Sequence, residues 1–407
     1  MGRKHGDPGG EGVPEAGRMK ALLAGLVGFA SENPPGREAE VALFLGEHLK
    51  ALGFAVETPE VGPGRRNVVA RLDNGSGPTL AFNSHLDVVP AGGGWTSDPF
   101  RLAERDGRLY GRGACDAKGS IAAMVEAMTL LKAAPAAWQG QLVGVFVADE
   151  EVGSSGVRRF VADHPPVDRV VVGEPTSLAT VSAHKGVLRP RIRIAGKSAH
   201  SGMPELGENA ILAAAQLMAL FAEEDGRLRK ILHPLCGKAS LTVTRIDGGV
   251  ADNVVPARCE IAIDRRVLPG ETREQVEGEV RSILDRARRD YGVRSEIVGF
   301  SSTAGGCETP VSDPVVTAAV ESCARHGVRR NGPLGFMGGC DLVHFAAAGS
   351  RGVVLGPGAL DVAHQPDEFV PVDELGTAAG IYRDLMLRLF GTGTLGAAEE
   401  RATDKGG

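Results

Sequence analysis

Two histidines and a group of carboxylates stand where short apolar runs end, and this placement is the first chemical signal in the chain. The run 79–83 ends in Ser84-His85-Leu86-Asp87, and the run 141–148 leads into Asp149-Glu150-Glu151. The run 169–172 opens into Gly173-Glu174-Pro175, and 352–355 into a Gly/Pro-containing loop that holds His364. Asp116 sits in LYGRGACDAKG, just ahead of a helical pattern. Imidazole and carboxylate without thiolate suit Zn2+, and less exclusively Co2+ or Mn2+. Two histidines and three carboxylates exceed what one tetrahedral ion with an open position takes. They fit two ions roughly 3.5–4 Å apart that share a bridging carboxylate. Asp87, two residues after His85, is placed to hold the other ring nitrogen of that histidine.

Taken singly, each of these features has an ordinary explanation. A His-x-Asp stretch is commonly a surface turn, adjacent glutamates a solvated loop, and a histidine in a Gly/Pro loop a turn cap. GRGACDAKG resembles a phosphate loop only superficially, because it lacks the P-loop spacing. The combination carries the signal, and it requires elements that bring five segments to one place. Apolar runs at 67–72, 79–83, 141–148, 169–172 and 352–355 read as strands. Helical periodicity at 19–29, 38–52 and 120–132 alternates with them. That alternation predicts an α/β domain with a mostly parallel sheet, whose ligand sites form beyond the carboxyl ends of the strands.

The middle of the chain has another rhythm. Alternating strands at 188–194, 239–246 and 257–265, a further strand at 293–298, and helices at 209–223 and 273–291 give the order β-α-β-β-α-β, a ferredoxin-like α+β unit. The expected organisation is therefore a catalytic domain at 18–181 and 298–390, with an inserted domain at 182–297. Residues 1–17 and 391–407 read as disordered tails. A chain of 407 residues suits two domains. Its 43% hydrophobic and 24% charged residues are the balance of a soluble globular protein. A net charge of −6 gives no footprint for nucleic acid or for an anionic membrane, so neither is expected as a partner. No apolar run approaches the length of a bilayer span, and the start lacks the apolar stretch of a signal peptide. The six scattered cysteines, with no CxxC pair, point to reduced thiols and a cytoplasmic location. Cys115 and Cys340, inside the motifs, read as small buried residues.

SHLDVVP (84–90), YGRGACDAKG (110–119), ADEEVGSSG (148–156), GEPTS (173–177) and GPGALDVAHQPDE (356–368) together resemble the metal and catalytic motifs of the M20 aminoacylase/carboxypeptidase metallopeptidases. The resemblance spans nearly the whole chain except its ends. GEPTSLATVSAHKG (173–186), GKSAHSGMPELGENAI (196–211) and VLGPGALDVAHQPDEF (354–369) draw it towards the acetylornithine deacetylase and succinyl-diaminopimelate desuccinylase group of deacylases. It implies hydrolysis of the amide of an N-acyl amino acid, two Zn2+ (or Co2+/Mn2+) ions per chain, and a homodimer formed through the inserted lid domain.

Residue by residue, the resemblance implies that Asp116 bridges both ions. His85 and Glu174 complete one shell, and Glu151 and His364 the other. Glu150 acts as general base and acid, with Asp87 supporting the site. A cis peptide is implied between Asp116 and Ala117. His200 matches a lid histidine that crosses to the neighbouring subunit to help the oxyanion. Arg266 and Asn253 match lid positions that contact the substrate carboxylate and carbonyl region. Gly338 and Gly339 match a loop whose backbone faces the carboxylate. The segment FMGGCDLVHF (336–345) follows the wider family rather than acetylornithine deacetylase proper, which leaves the acyl group and the amino acid open. Desuccinylation and carboxypeptidase-type cleavage are the alternatives within the family, and an inert binding homologue is the alternative outside catalysis. The intact Glu150 speaks against the last. The absence of a GxGxxG motif after a first strand speaks against a nucleotide-binding dehydrogenase.

Overall fold

The computed structural model describes residues 13–329 and 332–392. The leader and tail read from the sequence as disordered lie for the most part outside these, although the first helix already begins at Ala16. Contacts divide the chain into two units, 1–182 with 309–334 and 340–407, and 183–308 with 335–339. The boundary expected after residue 297 falls within a strand, Arg294–Ala304, so the second unit continues to Glu308.

The principal strands of the large sheet in the first unit are β1 (Ala55–Glu57), β2 (Val68–Asn74), β3 (Thr79–His85), β4 (Gly140–Val147), β5 (Arg169–Val172), β6 (Val181–His184, which begins in this unit) and, late in the chain, Arg351–Val354. Its helices are α1 (Ala16–Val27), α2 (Glu38–Ala51), α3 (Lys118–Ala133) and α4 (Ser155–Asp163), and later Pro314–Arg325, Leu342–Ala347 and Val372–Phe390. The central strands run parallel in the order β4, β3, β5 and Arg351–Val354; β2 and β6 flank them antiparallel, and β1 pairs antiparallel with β2 at the edge.

The register puts the carboxyl ends of the parallel strands level. His85 pairs with Val147, Asn83 with Val172, and Val172 with Val354. Each strand is apolar on both faces because helices cover both. Phe82, Phe146, Val171 and Val353 join the core that α1, α2, α3 and Val372–Phe390 complete. Gly352, out of phase with Val353, faces Leu342 on the other side. Four helices were not anticipated: α4, Pro314–Arg325, Leu342–Ala347 and Val372–Phe390. The last carries Gly376 and Gly380, which depress helical propensity. Gly380 lets it pass close to His326, which a Cβ there would meet at 2.6 Å.

The second unit contains β7 (Gly186–Ala195), α5 (Ala210–Leu228), β8 (Ser240–Gly248), β9 (Arg258–Val267), α6 (Arg273–Tyr291) and β10 (Arg294–Ala304). Its sheet order, β8-β9-β7-β10, is wholly antiparallel, the ferredoxin-like arrangement. Alternation along β9 sends Ile261 and Ile263 to the helices, where Leu217, Phe221, Val280 and Leu284 meet them. The opposite face is ionic, with Arg193 on Glu260 at 3.1 Å and Arg189 on Asp264 at 3.0 Å. The α6 helix starts at a capping box formed by Thr272 and Gln275 and stops at Gly292, whose φ of 69° suits glycine. Among the described residues no helix is long and apolar enough to cross a membrane.

Candidate metal centre

Level strand ends bring the chemical groups together. His85 is the last residue of β3, Glu150 and Glu151 follow β4, and Glu174 follows β5. Asp116 precedes α3, whose first turn presses against the strand ends. A Cβ on Gly173 would lie 2.6 Å from Ser120 Cβ, and one on Gly356 2.5 Å from Ser120 Oγ. Only glycine allows that approach. The Asp116–Ala117 peptide is cis.

The carboxylate of Asp116 is shared. Its Oδ1 lies 3.0 Å from His85 Nε2, and its Oδ2 lies 3.3 Å from His364 Nε2. Glu174 Oε2 is 4.0 Å from His85 Nε2, and Glu151 Oε1 is 3.2 Å from His364 Nε2. Two triads result, His85–Asp116–Glu174 and Asp116–Glu151–His364, each able to offer ligand atoms within 4.8 Å of one another. His85, Asp116 and Glu174 are buried, Glu151 is partly buried and His364 is exposed.

Electrostatics shows how much positive charge this cluster demands. Burial alone would push the His85 imidazole down, yet the hydrogen bond to Asp116 and the nearby carboxylates of Asp87 and Glu174 hold it well above its usual value. Hydrogen bonds to Asp116 and Glu151 push His364 up to about 10. Burial drives Glu174 well above the usual carboxylate range, and the charge of Asp116 adds to it. Glu150 is raised in the same way by burial and by the charge of Glu174. Buried carboxylates facing one another are stabilised by positive charge, and they shift both imidazoles towards the charged form. Metal binding exchanges protons for the ion. The donor set therefore fits borderline divalent ions.

Asp87 departs from the sequence reading in one respect. The nearest group to His85 Nδ1 is the backbone carbonyl of Asp87 at 2.9 Å, and its carboxylate stands off at 3.6 Å. The ring still donates from Nδ1, which leaves Nε2 free for a ligand role. The carboxylate is occupied elsewhere: Oδ1 accepts from Glu150 N and Oδ2 from Glu151 N, each at 3.1 Å.

Two groups that support Asp116 were missed. Glu368 Oε1 accepts the N–H groups of Cys115 at 2.9 Å and Asp116 at 3.0 Å, while Oε2 pairs with buried Arg112. Both lie in the motif segments 110–119 and 356–368, where an arginine between two glycines and a glutamate four residues after His364 were the available signal. Asp341, in the MGGCD segment, is also buried, and burial lifts its carboxyl to about 7. Lys118, the lysine of the apparent phosphate loop, instead donates to the carbonyls of Leu26 at 2.9 Å, in the last turn of α1, and Phe29 at 3.0 Å, just past it.

His200, Asn253, Arg266, Gly338 and Gly339 belong to the second unit. His200 bridges to Val254, and Ser201 N donates to Asn253 O at 3.0 Å, so His200 and Asn253 lie together. They extend the end of the ladder at which Ala195 meets Arg258, whereas Arg266 pairs with Val187 at the other end. Arg266 Nε is held by Asp264 at 2.7 Å.

A family model described as peptidase family M20/M25/M40 matches residues 81–388. A protein of Vibrio campbellii named acetylornithine deacetylase is 34% identical over 343 residues, 82% of this chain and 87% of that one. One of the same name from Photorhabdus laumondii is 33% identical over 353 residues, 84% and 88% of the two chains. Among solved structures, a Staphylococcus aureus tripeptidase aligns with a TM-score of 0.77 at 23% identity, covering 92% of this chain and 99% of that one. A Bacillus subtilis protein described as a dinuclear metal binding peptidase from the M20 family aligns with a TM-score of 0.71 at 19% identity, covering 92% and 98%.

Proposed function

This chain belongs to peptidase family M20/M25/M40, a family of hydrolases acting on amides, and from that premise we propose that it deacylates an N-acyl amino acid, with an acetylornithine-like substrate first. The observation that carries the reading is the Asp116 carboxylate, with one oxygen towards His85 and the other towards His364. The relatives named acetylornithine deacetylase support the substrate class.

In this reading His85, Asp116 and Glu174 hold one Zn2+, Co2+ or Mn2+ ion, and Asp116, Glu151 and His364 hold a second. Such ions, when bound, supply Lewis acidity that lowers the pKa of water and polarises the scissile carbonyl. The proton traffic falls to Glu150. It takes a proton from the attacking water and delivers it to the amine nitrogen as the C–N bond breaks, so a carboxylic acid and a free amine leave. Burial and the charge of Glu174 raise its pKa, which suits a group that must both accept and return a proton. Asp87, bonded to the amides of Glu150 and Glu151, holds the base and its ligand neighbour in place.

We assign the second unit as lid and dimerisation domain. Edge strand β8, with exposed Ile246, and the exposed Leu212 and Val250 support an isologous contact. Eight residues separate Arg258 from Arg266 along β9, about 26 Å of extended strand. His200 and Asn253 are thus remote from Arg266 within one copy, which favours a site that draws on two. There His200 and Asn253 face the carbonyl, and Arg266 clamps the substrate carboxylate with the backbone of Gly338 and Gly339. A cytoplasmic location is supported by six free, buried cysteines.

The test pairs two neighbours across a panel of N-acetyl, N-succinyl and N-formyl amino acids and dipeptides. Glu150→Gln is expected to lower turnover by at least about 10²-fold with bound metal retained. Glu151→Gln is expected to lose metal. Equal metal loss from both variants would overturn the division of roles.

A further inference from the structure

Glu150 can serve as a base only if the turn that carries it is held, and the groups that hold it extend well beyond the metal triads. Asp149 adopts φ 69° directly after β4 and Ala148, turning the chain so that Glu150 and Glu151 project from the sheet edge. Non-glycine residues hold that conformation only where the surroundings impose it. Two carboxylates flank the turn. Asp87 receives the amides of Glu150 and Glu151. Asp149 Oδ2 receives the amide of Ser155 at 3.3 Å.

These two carboxylates are linked by Asn33 and Arg65. Asn33 Nδ2 donates to Asp87 Oδ2 at 2.9 Å and to Asp149 Oδ1 at 3.0 Å, and its Oδ1 accepts from Arg65 Nη2 at 3.0 Å. The opposite amide orientation would set its oxygen against two carboxylates and its NH2 against a guanidinium, so the network itself selects this one. Arg65 also donates to Asp149 Oδ1 at 2.5 Å, to Pro35 O at 3.1 Å and to the buried Glu38 at 3.1 Å. Its guanidinium thus lies against Asp149 and Glu38, with Asp87 one residue further along the network through Asn33. Space is reserved for it: a Cβ on Gly36, whose φ is 94°, would sit 2.2 Å from Arg65 Nη2.

We propose that Arg65 and Asn33 are positioning residues for Glu150, acting through Asp149 and Asp87 rather than on substrate or metal; the inference rests on the reading of Glu150 as the base. A planar guanidinium satisfies four acceptors that an ammonium cannot reach together. The same groups could instead serve only to keep the first unit folded, and the two roles differ in a measurable way. A residue that works through Glu150 has nothing left to contribute once the base is gone, because effects of residues acting as one unit are not additive.

The experiment uses the full chain loaded with metal and measures kcat, KM and bound metal on an N-acetyl amino acid that the protein cleaves. Arg65→Met is expected to lower kcat at least about tenfold with KM changed less than about twofold, and Arg65→Lys to recover part of the loss. In a Glu150→Gln background, Arg65→Met is expected to change kcat by less than about twofold. The same fold-loss in both backgrounds would overturn the proposal, as would wild-type kcat in Arg65→Met beside a weakened Glu150→Gln. If Glu150→Gln turns over like wild type, the reading of the base fails and this inference falls with it. Should Arg65→Met fail to fold, Asn33→Asp, which keeps the side-chain shape, is judged by the same criteria in the two backgrounds.

Discussion

Replacing Glu368 by alanine removes three things at once, and their sum can be worked from the structure. The carboxylate accepts two backbone amides, from Cys115 and Asp116, and pairs with Arg112. Glu368 and Arg112 are both buried, with side-chain exposures of 0% and 2%. Taking one partner from a buried ion pair costs about 3–5 kcal/mol, because the remaining charge is left without compensation. Each buried N–H left without an acceptor adds about 1–3 kcal/mol. Arg112 keeps a bond to Ala91 O at 3.4 Å and a place over the Trp95 ring at 5.1 Å, which moderates the loss. Glu368→Ala is therefore expected to destabilise the protein by about 5 kcal/mol or more, and Glu368→Gln, which keeps an oxygen for the amides, by about 3 kcal/mol. Because the amide of Asp116 is one of those released by alanine, metal affinity is expected to fall about 10–100-fold in Glu368→Ala and less in Glu368→Gln. The assay is urea unfolding with and without added Zn2+, together with metal titration. Pairing Glu368→Gln with Arg112→Leu removes both charges and is expected to recover stability relative to Glu368→Gln alone. A loss below about 1 kcal/mol in Glu368→Ala, or no recovery in the double variant, would refute the reasoning.

Because Asp116 serves both triads, elemental analysis is expected to show two ions per chain, with Asp116→Asn losing both and Glu174→Gln losing chiefly one; saturation at a single ion would count against the shared carboxylate. His184 is fully buried with no partner for Nε2 among the described residues, and burial pushes its pKa down from 6.5 to about 4. The unfolded chain then takes up a proton below 6.5 that the native state refuses until about 4. Stability from this site is complete above the unfolded value and is lost as pH falls, by about 3 kcal/mol across the window. Urea unfolding at pH 7 and pH 4 should show that this fraction of the acid sensitivity disappears in His184→Asn; an unchanged pH dependence would exclude it. For the dimer, a heterodimer of one His200→Ala chain and one Glu150→Gln chain is expected to recover about half of wild-type turnover if His200 serves the partner's site. No recovery on mixing would place His200 within its own chain.

The parts legible in the sequence were those encoded locally. Apolar runs with a period of two and helical runs with a period near 3.6 placed β2 to β5, α1 to α3 and the β-α-β-β-α-β order, because burial on one or both faces imposes that period, though the last strand of that unit continues to Ala304, past its expected end at 298. The same local reading put His85, Glu150, Glu151, Glu174 and His364 at strand ends. Their chemistry followed from residue type. It did not reveal Val372–Phe390, whose glycines lower helical propensity while allowing close packing that only the fold makes visible. Nor did it reveal which loop lies beside which. Asp116 meets His364 and donates its amide to Glu368 across about 250 residues, and Arg65 reaches Asp149 across 84, since strand order in the sheet, not distance along the chain, decides neighbours. Tertiary structure alone decided that Asp87 gives His85 its carbonyl and spends its carboxylate on two amides. A carboxylate has several acceptor sites, and which donors fill them depends on the turn that β4 happens to present.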